Sequence, residues 1–92
     1  MEVQPTSTVS LANNHFRADH DGEAIIMSIS AGKFFSFDKI GFEIFDAIEK
    51  PICVNDLVAS LAARHNAAED VVMPDVLKFL NQLSDNELIH VE

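Results

Sequence analysis

The chain predicts an α+β domain of winged-helix-like layout, with a three-stranded antiparallel sheet followed by three helices. Three observations carry that expectation. Two turn signals, Asp21-Gly22 and Ala31-Gly32, divide a β-prone stretch starting at His15 into short strands. From Ile40 onward the apolar residues change from alternation to helical spacing. Strands that follow one another directly, ahead of any helix, cannot form parallel βαβ units, so the sheet is antiparallel with helices on one face.

The elements follow in order. Residues 1–14 are polar and turn-forming, with Pro5 and a Ser/Thr cluster, and are expected as a flexible N-terminal tail. Strands fall near 15–19, 24–30 and 33–37. The middle one, AIIMSIS, sets Ile25, Met27 and Ile29 against Ile26, Ser28 and Ser30, as in a half-buried strand. In the third, Phe35 and Phe37 share one face and Phe34 and Ser36 the other. Asp38 has the short carboxylate of a helix N-cap, and Ile40, Ile44, Phe45 and Ile48 recur at helical spacing before Pro51. A second helix is expected from about Val54 to His65, with Val54, Leu57, Val58 and Leu61 on one face and Asp56 in its first turn. Asn66 and Glu69 resemble a capping box for a third helix, whose seam is Val72, Val76, Phe79, Leu80 and Leu83. Pro74 lies inside that pattern, so the turns before it should kink or form a separate piece. Leu88 and Val91 can pack back on the helices.

Composition bounds the function. The 92 residues suffice for one core, and a 48% hydrophobic share is that of a globular domain. No apolar run reaches the roughly 18–20 residues that span a bilayer, and the start lacks the charged and apolar regions of a secretory signal. The single cysteine, Cys53, excludes an internal disulfide and suits a reducing cytoplasm. A net charge of −9, with the lysines scattered singly, argues against nucleic acid and against an anionic membrane.

Chemistry-bearing constellations are lacking. His15, Asp19, His20, Asp21 and Glu23 read as a charged, solvated hairpin, since two histidines five apart on a strand face opposite sides and do not converge on a metal. Cys53 has no CxxC partner, and no phosphate loop, nucleophile elbow or triad is present. No catalytic residue, metal site or cofactor is expected. A winged-helix regulator would use the third helix for recognition, but Glu69, Asp70 and Asp75 there would repel phosphate, with only Lys78 to attract it.

The aromatic strand stands out. Gly32 to Pro51 holds five of the seven phenylalanines. As the last strand of a meander it lies at a sheet edge, and native edges are normally blunted by charge or proline. Here Lys33 and Asp38 stand only at its ends. Two readings follow: the rings fill the core and cover a loop, or the edge accepts an extended peptide as an added strand.

GKFFSFD at Gly32–Asp38 is followed by Gly41, Ile44, Phe45 and Pro51. Leu57, Val58 and Leu61 come next, then Asp75, Val76, Phe79, Leu80 and Leu83. In order and spacing over roughly residues 24–89, this resembles the PqqD-like family of peptide chaperones, the recognition elements of ribosomally made, modified peptides. The nearest likeness is to the stand-alone leader-binding proteins of lasso-peptide biosynthesis. The resemblance implies that residues 15–92 form a single PqqD-like recognition domain, non-enzymatic, which binds the leader of a precursor peptide. It implies a transglutaminase-like leader peptidase and an ATP-dependent cyclase, or another modifying enzyme, as further partners. The leader would lie as an antiparallel strand on Lys33, Phe34, Phe35, Ser36 and Phe37. The rest of the pocket would come from Val72, Asp75, Val76, Lys78 and Phe79.

Three departures from the family pattern matter. Cys53 replaces a Thr or Ser helix cap, which should leave the second helix less firmly started. Glu87 replaces a Gly after the last helix, leaving Asn86 as the expected left-handed residue. Pro74 is unusual beside the groove. A transcription regulator and a structural subunit whose aromatic strand pairs with itself in a homodimer are the competing expectations.

Overall fold

The computed structural model describes residues 2–20 and 23–92, and the expected Asp21-Gly22 turn lies outside them. The chain runs β1 (Thr8–Leu11), β2 (His15–His20), β3 (Glu23–Ser28), β4 (Lys33–Ser36) and α1 (Lys39–Ala47). It continues as β5 (Ile52–Cys53), α2 (Val54–Arg64), α3 (Glu69–Asp85) and β6 (Ile89–Val91). The α+β class and the antiparallel meander of three strands ahead of three helices are as the sequence predicts. The strands, however, form two sheets, ordered β2-β3-β4 and β5-β1-β6.

The second sheet corrects the reading of residues 1–14 as a loose tail. Within that stretch, β1 is a central strand, pairing Val9 with Ile52 on one side and with Val91 on the other. Val3 and Val9 are buried in the core, and the Val3 amide donates to Asn81 Oδ1 at 2.8 Å. Each of these strands is too short for period-two alternation to show, and the two that flank β1 come from the middle and the end of the sequence.

In the first sheet, register fixes which face is buried. Ile26 sits opposite Phe35 and Arg17, and Met27 opposite Phe34 and Phe16. Ile26 and Ser28 are fully buried, so the Ile25–Met27–Ile29 face, although richer in apolar residues, points outward. Gly32 closes the β3–β4 turn at φ +65°, a left-handed conformation that glycine adopts without cost. The Ala31 amide there donates to Ser28 Oγ.

Helix boundaries follow local chemistry. Asp38 caps α1, its Oδ1 accepting from the Gly41 amide at 2.7 Å. Cys53 precedes α2 without a side-chain cap, as its replacement of Thr or Ser implies, and Asp56 lies in the first turn. The expected Asn66–Glu69 capping box is not formed. Asn66 instead ends α2, left-handed at φ 51°, with the Ala67 amide bonded to the Ala62 carbonyl in a Schellman closure. The N-cap of α3 is Ala68, without a side-chain bond. The same closure ends α3: the Leu88 amide reaches the Leu83 carbonyl, and Glu87, not Asn86, is the left-handed residue at φ 59°. No separate piece precedes Pro74: α3 runs through it as one continuous helix. Pro74 lies past the first turn of α3, so its ring removes the one amide that would donate to the Asp70 carbonyl.

The core joins Ile44 and Phe45 of α1, and Ile48 at its C-cap, to Leu57, Val58 and Leu61 of α2. It also takes in Val76, Leu80 and Leu83 of α3, with Ile26, Leu88 and Ile89. Ile40, in register with that α1 stripe, is nevertheless half exposed. Among the described residues no helix is long and apolar enough to cross a membrane.

Candidate functional site

β4 pairs with β3 along one side only, and its other edge has no strand partner among the described residues. Its side chains are graded: Lys33, Phe34 and Ser36 are exposed, while Phe35 turns toward the core opposite Ile26. Phe34 is 72% exposed, the highest value among the described large apolar residues. An edge of this kind carries free N–H and C=O groups alternating with apolar side chains, and it can accept another extended backbone.

Phe37, just beyond β4, anchors the strand to the helices. Its ring meets Phe79 of α3 edge-on at a centroid distance of 5.2 Å and also packs on Phe42 and Phe45 of α1. Gly41 makes this fit. A Cβ there would lie 2.8 Å from Phe37 Cβ and 3.4 Å from Phe79 Cε1. Arg17 of β2 lies over the Phe42 ring, 5.0 Å from its centroid, and its guanidinium pairs with Asp46, tying the sheet to the outer side of α1.

Beside the Phe37–Phe79 contact, an apolar groove of about 460 Å³ opens between α1, the end of α2 and the first half of α3. Ile44 and Val76 form its floor, with Ile40, Val71, Val72 and Phe79 around them. Ile40 is 50% and Val71 65% exposed, an unusual state for residues beside a core seam. Asp38, Asp75 and His65 supply the polar rim.

His65 is held in place. Its Nε2 donates to the Glu43 carboxylate at 2.7 Å, and Arg64 pairs with the same carboxylate at 3.1 Å. The His65 hydrogen bond, followed by the nearby Arg64 charge, holds the Glu43 carboxyl below its ordinary value, against an opposing effect of desolvation.

The expected site residues therefore divide. Val72, Asp75, Val76 and Phe79 line the groove, and Phe37 touches it through Phe79. Lys33, Phe34 and Ser36 stand along the strand edge, and Phe35 supports it from the core side. Lys78 is exposed and does not line the groove. Phe37, through its contact with Phe79, stands between β4 and the groove. Sequence reasoning missed Ile40, Val71 and His65. Ile40 carried a misleading signal, since its spacing with Ile44 and Ile48 reads as core, and only the position of α3 leaves it uncovered.

No curated protein matches the chain significantly. The solved structure of TbiB1 in complex with the TbiA(beta) leader peptide has the same fold. Its TM-score is 0.77 at 22% sequence identity, over 88% of this chain and 94% of that one. Residues 23–89, from β3 to the start of β6, match the family model described as coenzyme PQQ synthesis protein D, and the chain belongs to the PqqD family.

Proposed function

We propose that this chain is a non-catalytic recognition element that binds the leader segment of a ribosomally made precursor peptide as an added strand on β4. It then presents the peptide to a leader peptidase and modifying enzymes, with the lasso-peptide type favoured. The observation that carries this reading is the unpartnered, aromatic edge of β4 beside an apolar groove. Membership of the PqqD family, and likeness to a structure whose partner is a leader peptide, support it.

The energetics give each part a task. A four-residue edge offers about four hydrogen bonds to a neighbouring strand, each worth roughly 0.5–1.5 kcal/mol net. Ordering a disordered peptide costs about 2–5 kcal/mol, so the backbone pairing does little more than offset that cost. Affinity must come from leader side chains that cover the groove, at about 25 cal/mol per Å² of apolar surface. The strand edge sets direction and register, and the groove supplies the binding energy.

The test is an anisotropy titration with a labelled leader segment from the precursor encoded beside this protein. Saturable binding at or below tens of micromolar, weakened in the double variant Phe34→Ala/Ile40→Gln, is the expected result. Binding that is unchanged in that variant removes the site, and no binding removes the function.

A further inference from the structure

The outward face of the first sheet is apolar where a solvated face would be polar. Phe16, Met27 and Phe34 lie directly opposite one another across β2, β3 and β4, forming one continuous row. Phe16 is 62% and Phe34 72% exposed. The neighbouring row is Ala18, Ile25 and Ser36, in which the small Ser36 leaves Ile25 accessible from the β4 side. Neither row contains a charged residue. An exposed apolar face that runs up to an open edge calls for an occupant.

Strand geometry identifies one. Any strand added at β4 lies about 4.8 Å away, and its side chains alternate between the two faces of the sheet. Those turned inward meet the Phe35 side and the groove. Those turned outward fall beside Phe34 and over Ser36, with Cβ atoms about 4.5–5.5 Å from their direct partners. A large side chain opposite Ser36 can lean across it onto Ile25. A second copy of this chain is a poorer occupant, because a net charge of −9 on each molecule opposes stacking of two such faces.

Resting on the leader-binding function proposed above, we infer that the bound peptide is read on both faces. Phe34, together with Ile25 behind Ser36, selects aromatic or branched aliphatic side chains at the leader positions that point away from the groove. The ligand class is thus an extended peptide with apolar residues at consecutive positions, rather than one with a single apolar face. Phe16 and Met27 continue the row and keep water from the far side of the Phe34 ring.

Selection from a displayed library of random linear peptides tests this, with wild-type protein and with Phe34→Thr. Threonine keeps strand propensity at an exposed position, so the variant should fold, which circular dichroism checks. Wild type should enrich peptides with apolar residues at both odd and even positions of one short window. Phe34→Thr should lose the preference at one parity only, and should bind wild-type-selected peptides about 2- to 5-fold more weakly. Enrichment at a single parity in wild type, or both parities unchanged in Phe34→Thr, overturns two-faced reading while leaving leader binding intact. A concentration-dependent dimer in sedimentation that Phe34→Thr abolishes assigns the face to a second copy and also overturns it. No enrichment by either protein rejects leader binding itself.

Discussion

Phe37 and Phe79 meet edge-on at 5.2 Å, and through that contact the free strand β4 is fixed to helix α3. A peptide paired to the strand would therefore meet the helices at a height set by this contact. Gly41 is what allows the approach.

Gly41→Ala places a methyl group 2.8 Å from Phe37 Cβ, closer than such atoms tolerate. Better helix propensity returns about 1 kcal/mol, while overpacking costs roughly 1–3 kcal/mol. Urea unfolding should show a net loss of about 1 kcal/mol, and leader affinity should fall more than stability does.

Ile40→Gln and Val71→Gln remove apolar surface from the groove at positions that are half or more exposed. Thermal stability should stay close to wild type. Each should weaken leader binding by on the order of tenfold, because the peptide then covers about 60 Å² less apolar surface. Lys78→Ala, outside the groove lining, should change affinity by less than about twofold.

Glu87→Gly should stabilise the fold. A non-glycine residue in the left-handed region costs about 1–2 kcal/mol, and glycine returns part of the gain through unfolded-state entropy. A rise in midpoint temperature of roughly 4 °C in a thermal scan is expected.

Glu43 links stability to pH. Its carboxyl titrates lower in the folded chain than in the unfolded one, so between the two values the unfolded chain binds more protons. Its contribution is present above the ordinary value of 4.5 and is lost as pH falls through the lowered folded value. Stability measured against pH in acid should fall less steeply in Glu43→Gln than in wild type.

Much of the fold was legible because its signals are local. The Asp38 cap, the Gly32 turn, the α2 stripe and the order of the meander each depend on neighbours within a few residues. What escaped depends on distant partners or on a choice between two local roles. Thr8–Leu11 becomes a strand only because Ile52–Cys53 and Ile89–Val91 flank it. Asn66 has the chemistry both of an N-cap and of a left-handed C-terminal residue, and the Ala67–Ala62 hydrogen bond decides for the second. The strand half of the candidate site could be read from Phe-Phe-Ser-Phe at an edge. The groove half could not, because Ile40 and Val71 are marked by what fails to cover them, which periodicity does not encode.

Amide hydrogen exchange of the protein with and without the leader segment addresses strand addition most directly. Exchange should slow at alternate amides of Lys33–Ser36, those on the edge away from β3, with further protection around Val71–Val76 in α3. Binding that protects the β2 edge or the β5-β1-β6 sheet instead, and leaves the β4 amides exchanging as before, would rule out a leader strand on β4.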